Sequence, residues 1–498
     1  MMAQRSAPSG LMLDQLFAGI TAATAPAIPV TDMTLDSRRV TPGAVFLACE
    51  GYSSHGLDHV AEAVARGASA VAFEPRPDDG GVVLPVPSLA IPALRSQLGR
   101  LARRFFVDPS AALTVTGITG TNGKTTVAWL LANAYRELGM PAGYIGTLGT
   151  GVDLAALSSP ELTTPDVIEL NRVLAGFVRD GADQACVEVS SHALSQGRID
   201  GLTIDTAVLT NLGRDHLDYH GSEAAYRAAK ASLFAVPTLK NRVVNSDDSL
   251  GAQLAERYPA SWRTSFEPSK RTDERSISVR GIQQTPTGMV AEIWVGGRPL
   301  QLRTALLGRF NLSNVMNALA VLVANGVAAD AAVDALASIP APPGRMQRVD
   351  AGHDIGVVVD FAHTAEALSL ALSTLRRHTH GALWCVFGAG GDRDRGKRVP
   401  MAQAVSAAAD RVVVTSDNPR SEPPGAIVAE LMAALPSGCN AVAQVDRRMA
   451  IFEAIRDAAS GDIVLIAGRG HEAQQRFADH SIEFDDALVA RAALERHR

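Results

Sequence analysis

The stretch GITGTNGKTT, Gly117–Thr126, decides the fold. It follows the apolar run LTVT (Leu113–Thr116) and opens into TTVAWLLANAYREL, whose apolar residues recur at helical spacing. A glycine-rich turn between a strand and a helix lets backbone N–H groups wrap a phosphate, and the helix N-terminus favours negative charge. Lys124 can reach the terminal phosphates, and a threonine hydroxyl can join a Mg²⁺ shell. Gly120, Thr121, Asn122, Gly123, Lys124, Thr125 and Thr126 are therefore candidate nucleotide contacts. The usual spacing, GxxxxGK[ST], would put glycine at position 118, where this chain has Ile118. Counted from Gly117, the loop is one residue longer. A glycine-rich turn that binds no phosphate is the plainer alternative.

Working outward, short β-branched runs ending in Gly, Ser, Thr or Asp alternate with helical patterns, which predicts an α/β protein with parallel sheets. In AEALSLALSTLRR, Leu368, Ala371, Leu372 and Leu375 fall on one helical face. Three domains are expected: 1–109, with strands at GAVFLAC and SAVAFE; 110–342, with the phosphate loop; and 343–498. The second ends near APPGR, Ala341–Arg345, and holds a segment that reads as antiparallel hairpins, with Gly296-Gly297 as a two-residue turn. In the third, the strands GVVVD, ALWCVFG, RVVVTS and DIVLIAG each end in polar or glycine residues, where ligands bind in open parallel sheets.

A formal charge of −6 without clustered Lys and Arg argues against nucleic-acid binding. Cys49, Cys186, Cys385 and Cys439 lie far apart without metal-ligand spacing, which fits a reducing cytoplasm. The N-terminal stretch carries Asp14 inside its apolar part and shows no cleavage pattern, and no window reaches the ~18 apolar residues of a membrane span. A soluble cytoplasmic protein is expected.

Two further segments place carboxylates and imidazoles at strand mouths near the loop. ACVEVSSHALSQGR carries Glu188, Ser190, Ser191, His192, Gln196 and Arg198. TNLGRDHLDYHG carries Asn211, Asp215, His216, Asp218 and His220. Such groups can ligate Mg²⁺ or orient a nucleophile; a histidine after a strand can equally be a structural hydrogen-bonder.

Together GTNGKTT, EVSSH and TNLGRDHLDYHG resemble the Mur ligase family, ATP-dependent amino-acid ligases that build the peptidoglycan stem peptide. LLGRFNLSNVMNALA, PPGRM, VVVDFAHT, GAGGDRDRGKR, SDNPR and AGRGHE extend the resemblance over most of the chain. It implies an N-terminal mixed α/β UDP-binding domain, a central P-loop parallel-sheet ATPase domain and a C-terminal Rossmann-like domain that binds the amino acid. The implied reaction uses ATP and Mg²⁺ to join meso-2,6-diaminopimelate to UDP-N-acetylmuramoyl-L-alanyl-D-glutamate through an acyl phosphate. The implied enzyme is a monomer without nucleic-acid or membrane partners. Lys124, Glu188, His216 and Lys230 are its implied catalytic residues, and Thr125, Glu188, His216 and Lys230 its magnesium ligands. Lys230 would act as a carbamate (N6-carboxylysine); read alone, it is an exposed lysine on an Ala-rich helix.

By the same resemblance the UDP-muramyl substrate meets Leu35, Ser37, Tyr52, Ser53, Ser54, Thr163, Thr164, Ser190, Gln196 and Arg198. Asn311, Asn314, Arg345, Asp360 and His363 join the ATP contacts. Diaminopimelate meets Arg393, Asp417, Asn418, Pro419, Arg420, Gly468 and Glu472. Chemically, an arginine can grip a carboxylate while an acid and an amide receive an ammonium. Diaminopimelate differs from L-lysine by one carboxylate, so an arginine there gains a partner with only one of the two. A solvated β-turn is the bland reading of DNPR. The chain departs from the family at Phe361, Ala365, Gln347 and Leu162, where tyrosine, proline, glutamate and asparagine are common. Rival readings are the L-lysine-adding enzyme, the dipeptide-adding enzyme, a folylpolyglutamate synthetase, a P-loop motor or regulatory ATPase, and a nucleotide-sugar binding protein without catalysis.

Overall fold

The computed structural model describes residues 11–51, 54–76, 83–159, 161–267 and 274–497. The chain folds as two compact units, Met1–Lys124 with Leu131–Val244 and Asp248–Ser261, and Thr125–Leu130 with Asn245–Asp247 and Trp262–Arg498.

In the first unit, an N-terminal sheet runs Asp32–Thr34, Ala44–Ala48, Ala70–Phe73, Ser88–Ala90, with every neighbouring pair parallel. The run AVFLA is buried along its length because helices cover both faces, as parallel sheets require. Leu94, Leu98, Leu101 and Phe105 of the helix Leu94–Phe106 pack with Met33, Val45 and Leu47 on one face. Val60 and Ala63 pack with Phe46 and Val71 on the other.

The same unit holds strands in the order Asn241–Asn245, Thr206–Leu209, Thr114–Thr119, Gln184–Glu188, Ala142–Gly146, Gly149–Gly151. They are parallel except for the last, which folds back as a hairpin. The helix Val167–Arg179 starts where Asp166 accepts hydrogen bonds from the backbone N–H groups of Ile168 and Glu169. Its Leu170, Leu174 and Phe177 fill the core against Val115, Ile145 and Val187. Arg172 ties this helix to the N-terminal sheet, donating to Asp32 Oδ1 at 2.7 Å and Met33 O at 2.9 Å.

The second unit contains the expected hairpins, Ser276–Thr285, Gly288–Val295 and Arg298–Thr304, with Trp262–Ser265 parallel to the first. Gly296 and Gly297 turn the last hairpin at φ +56° and +82°, the double left-handed conformation of a two-residue turn that matches strand twist. The C-terminal sheet runs Gln347–Val349, Gly356–Asp360, Ile463–Ala467, Leu383–Phe387, Arg411–Val414, Ala441–Ala443. It is parallel apart from its first strand. Leu368, Ala371, Leu372 and Leu375 are buried against one face, as their spacing predicts, and Ile451, Ile455 and Val489 cover the other. Strand ends with polar loops therefore gather along one edge of this doubly wound sheet.

A close backbone approach in the first unit gives a test. A Cβ on Gly99 would lie 2.2 Å from the carbonyl oxygen of Asp200, whereas one on Gly425 would meet nothing within 4 Å. Gly99→Ala should destabilise the fold by about 1–3 kcal/mol through overpacking against backbone that cannot move aside. Gly425→Ala, in the helix Pro424–Ala433, should be neutral or slightly stabilising. Thermal unfolding of the two variants against the parent checks both.

Candidate active site

The phosphate loop sits where the strand Thr114–Thr119 meets the helix Lys124–Glu137. Gly120 has φ +150°, and a Cβ there would lie 1.8 Å from Thr210 Oγ1, so no side chain fits. The loop leans on the Thr210–Gly213 segment. Asn211 Oδ1 accepts from the N–H of Asn122 at 3.0 Å, Asn211 Nδ2 donates to Asn122 O at 3.0 Å, and Thr121 Oγ1 accepts from Gly213 N at 2.8 Å. Lys124 Nζ donates to Gly120 O and Thr121 O at 2.8 and 2.9 Å. Thr125 and Thr126 are buried in the first turn of the helix.

Lys230 lies on the helix Glu223–Ser232, which Ser222 caps. It is 1% exposed, so the reading of a solvated lysine on an alanine-rich face fails. Its Nζ donates to Gly120 O at 2.8 Å and lies 4.5 Å from the Tyr226 ring centroid. Burial, and then the nearby Lys124 cation, lower its pKa to about 7. The Tyr226 phenol is pushed up to about 12 by burial, and its hydroxyl pairs with Thr121 Oγ1 at 3.0 Å. Burial and then the neighbouring His216 also hold His192 and His220 below the usual imidazole value. His192 lies 4.8 Å from His216 and 5.6 Å from His220, centroid to centroid.

Glu188 is fully buried at the end of its strand, and its carboxylate accepts from the hydroxyl of Tyr144 and from both the N–H and hydroxyl of Thr147. His216 is half-exposed, with Nε2 3.4 Å from Asp215 Oδ2. Among the described residues, no three His, Cys, Asp or Glu side chains converge as a metal-ligand group.

Thr163, Thr164, Ser190, Gln196 and Arg198 come together around Glu188. Thr164 Oγ1 donates to Glu188 O at 2.8 Å and accepts from Ser190 N at 3.1 Å. Arg198 donates to Thr164 O and to Gln196 Oε1, and Gln196 Nε2 donates to the hydroxyl of Tyr219. The N-terminal residues form a separate group. Ser37 is buried and donates to Glu62 Oε2 at 2.7 Å, Leu35 is half-buried beside it, and Ser54 Oγ lies 3.2 Å from His59 Nε2. Tyr52 and Ser53 lie outside the described residues.

In the second unit, Asn311 and Asn314 are buried on one helix, Asn314 Nδ2 donating to Asn311 Oδ1 at 3.1 Å. Arg345, Asp360 and His363 gather around Phe361. The Arg345 guanidinium lies 4.8 Å from that ring's centroid, the His363 imidazole 4.7 Å, and Asp360 accepts from the N–H groups of Met346 and Ala362. Burial raises the Asp360 pKa. Both departures from the family near Arg345 have structural employment: Phe361 supplies the ring for Arg345, and Gln347 Oε1 accepts from Gly344 N at 2.8 Å.

The DNPR loop is not a solvated turn. Asp417, Asn418 and Pro419 are buried, Asn418 Nδ2 donates to Glu472 Oε2 at 2.6 Å, and Arg420 Nη1 donates to Gly391 O at 2.7 Å. Gly468 lies against Asp417, where a Cβ would be 2.5 Å from Oδ2. Burial raises the Asp417 pKa, with Arg447 pulling the other way. Arg393 is exposed on the neighbouring glycine loop.

Beneath this loop is a layer that no motif announced. Arg447 and Asp486, both fully buried, pair at 2.7 Å, and Arg447 also donates to Ser416 O and Ala467 O. Gln475 Nε2 holds Asp417 O at 2.6 Å. Tyr144, Thr147, Tyr219 and Glu62 were missed in the same way; their partners are distant in sequence and their spacing is not distinctive.

A glycine loop that can wrap phosphate at the carboxyl end of a parallel strand, backed by a buried lysine, defines a P-loop type of α/β protein. Residues 29–106 match the Mur ligase family catalytic domain, 118–322 the Mur ligase middle domain, and 344–470 the Mur ligase glutamate ligase domain. A UDP-N-acetylmuramoyl-L-alanyl-D-glutamate--2,6-diaminopimelate ligase from Xanthomonas oryzae pv. oryzae is 45% identical over 469 residues, covering 94% of each chain. A solved structure of an enzyme of that same name aligns at TM-score 0.73 and 35% identity, covering 98% of this chain and 99% of the other. The MurF ligase from Thermotoga maritima in complex with ADP shares the fold at TM-score 0.61 and 19% identity, covering 88% and 94%. The chain belongs to the Mur ligase family.

The buried amine gives a pH test. The unfolded chain keeps the Lys230 proton up to about pH 10.5, while the folded chain releases it near 7. The unfolded state therefore binds more protons between those values, and raising the pH across that window favours folding. In CO₂-free buffer, the thermal midpoint of the parent protein should rise relative to that of Lys230→Met from pH 7 towards 10.5 and show no such gain below 7. A difference that is flat with pH would refute the assignment.

Proposed function

We propose that the protein is an ATP-dependent amide ligase that adds meso-2,6-diaminopimelate to UDP-N-acetylmuramoyl-L-alanyl-D-glutamate during peptidoglycan precursor synthesis. The observation that carries this reading is the DNPR loop, in which buried Asp417 and Asn418 precede Arg420 and Asn418 Nδ2 donates to Glu472 Oε2. It offers acceptors for an ammonium and a guanidinium for a carboxylate, the two ends of a zwitterion. The similar enzymes from Xanthomonas oryzae and in the solved structure carry that substrate in their names.

In this reading, residues 1–109 bind the UDP-muramyl substrate through Leu35, Ser37, Tyr52, Ser53 and Ser54. Residues 110–342 bind ATP and the peptide part, and 343–498 bind the amino acid. A carboxylate oxygen of the D-glutamyl side chain attacks the γ-phosphorus of ATP, the bond to the ADP oxygen breaks, and an acyl phosphate forms. The neutral amine of diaminopimelate then attacks the acyl carbon; phosphate leaves and the nitrogen loses a proton. The work of the chain is positioning and charge neutralisation. The loop N–H groups and Lys124 hold the phosphates, with Asn311, Asn314, Arg345, Asp360 and His363 assigned to the rest of the nucleotide. Thr163, Thr164, Ser190, Gln196 and Arg198 orient the muramyl peptide. Arg393, Asp417, Asn418, Pro419, Arg420, Gly468 and Glu472 orient the amine.

In this reading Thr125, Glu188, His216 and Lys230 would hold a divalent cation, with the buried Lys230 amine, its pKa lowered to about 7, able to capture CO₂ as an oxygen-bearing carbamate. Mg²⁺ held there would neutralise phosphate charge. The reading places the protein in the cytoplasm as a monomer. Its four cysteines are free thiols, as a reducing compartment keeps them, and among the described residues no helix is long and apolar enough to cross a membrane.

Phosphate release by purified protein with Mg²⁺, ATP and the UDP-muramyl dipeptide should require diaminopimelate, with L-lysine and no amino acid near background. Arg420→Ala should raise KM for diaminopimelate by about 10–100-fold, the loss expected when a charge-assisted partner is removed, and should narrow the preference over lysine. Equal release with lysine in the parent protein would overturn the role of Arg420, and release indifferent to both substrates would overturn the ligase.

A further inference from the structure

The surroundings of Glu188 settle the direction of a hydrogen-bond chain. Oε1 accepts from the Tyr144 hydroxyl at 2.6 Å and the Thr147 N–H at 2.9 Å, and Thr147 Oγ1 lies 3.2 Å from Oε2. Position 146 is glycine where a Cβ would sit 2.1 Å from Oε1, so the backbone itself makes room for the carboxylate. On its other side, Thr147 Oγ1 is 3.3 Å from Oγ1 of Thr163, which is partly exposed next to the exposed Leu162.

A carboxylate can only accept, and a threonine hydroxyl has one proton to give. Thr147 must spend its proton on Glu188, so its oxygen is left to accept from Thr163. Thr163 then donates inward and turns its remaining lone pairs outward. We propose that Thr147 is a positioning residue that makes Thr163 an acceptor towards the muramyl-peptide substrate, so that this subsite selects an N–H or O–H donor of the sugar or peptide and disfavours an anionic oxygen. The inference rests on the assignment of Thr163 to that substrate under the proposed function.

The chain also links two substrates. Its inner end is a carboxylate assigned to the phosphate chemistry, and its outer end faces the acceptor sugar-peptide. A donor arriving at Thr163 polarises the same row of hydroxyls that terminates on Glu188. Thr147 is well placed for this because its backbone N–H and side chain grip different oxygens of one carboxylate.

Isothermal titration of UDP-N-acetylmuramoyl-L-alanyl-D-glutamate into the full-length protein, without ATP or Mg²⁺, tests the idea apart from turnover. Thr147→Val keeps the backbone donor and the shape and should weaken binding about tenfold, the size of one lost buried hydrogen bond with its partner left astray. Thr147→Ser restores the hydroxyl and should bind within about twofold of the parent, a recovery that a purely steric role would not give. Thr163→Val combined with Thr147→Val should bind no worse than the weaker single variant. Parent-like binding by Thr147→Val, additive losses in the double variant, or no rescue by serine would each overturn the relay alone. Failure of the parent protein to bind this substrate would overturn the substrate assignment and the relay with it.

Discussion

The carbonyl oxygen of Gly120 accepts hydrogen bonds from two lysine amines, Lys124 and Lys230, each at 2.8 Å. That shared acceptor is possible only because residue 120 has no side chain: Thr210 occupies the space where a Cβ would stand. The phosphate loop is thereby pressed between its own helix and the Thr210–Gly213 segment, and Lys230 is drawn out of solvent to meet it. Burial disfavours the Lys230 charge and the neighbouring Lys124 cation adds to the effect, so a close backbone approach becomes a chemical property of a lysine 110 residues away.

The DNPR loop is built on the same device. A Cβ on Gly391 would lie 1.9 Å from Pro419 O, and one on Gly388 2.3 Å from Thr415 O. Adjacent strand ends of the C-terminal sheet thus close to a distance that side chains forbid, and their carbonyls orient Arg420 through Gly391 O. Arg420 itself takes a left-handed backbone at φ +51°, a strained choice for a residue with a long side chain. Glycines at the strand ends gather the loops, and the one strained arginine is aimed by them.

Much of this was legible in the sequence because its signals are local. The strand runs, the apolar face of Ala365–Arg376, the double-glycine turn and the glycine loop each depend on a few neighbouring residues. The burial of Lys230 was not, since on the alanine-rich helix Glu223–Ser232 a lysine reads as a solvated charge. Tyr144 and Thr147 were silent for another reason: they meet Glu188 across 44 and 41 positions. Arg447 and Asp486 are 39 apart, on helices whose solvent-facing and buried charges look alike in composition. The antiparallel first strand of the C-terminal sheet and the small hairpin Gln474–Arg476 with Ser481–Glu483 are too short for periodicity to reveal.

Two buried cations show how different solutions to one cost serve different ends. Lys230 answers it by titrating, its pKa lowered to about 7 by burial and the Lys124 cation. Arg447 cannot lose its proton, so it is paired with Asp486 and saturated with carbonyls of Ser416 and Ala467. Removing one member of such a pair costs about 3–5 kcal/mol, while replacing both by apolar groups is often neutral. The pair is therefore poor evidence of stability and better understood through its geometry. It joins the residue before Asp417 to the residue before Gly468, the two backbones at the DNPR loop. The cation that can titrate stands beside the glycine loop, and the one that cannot stands beneath the DNPR loop, where it fixes the backbone of Ser416 and Ala467.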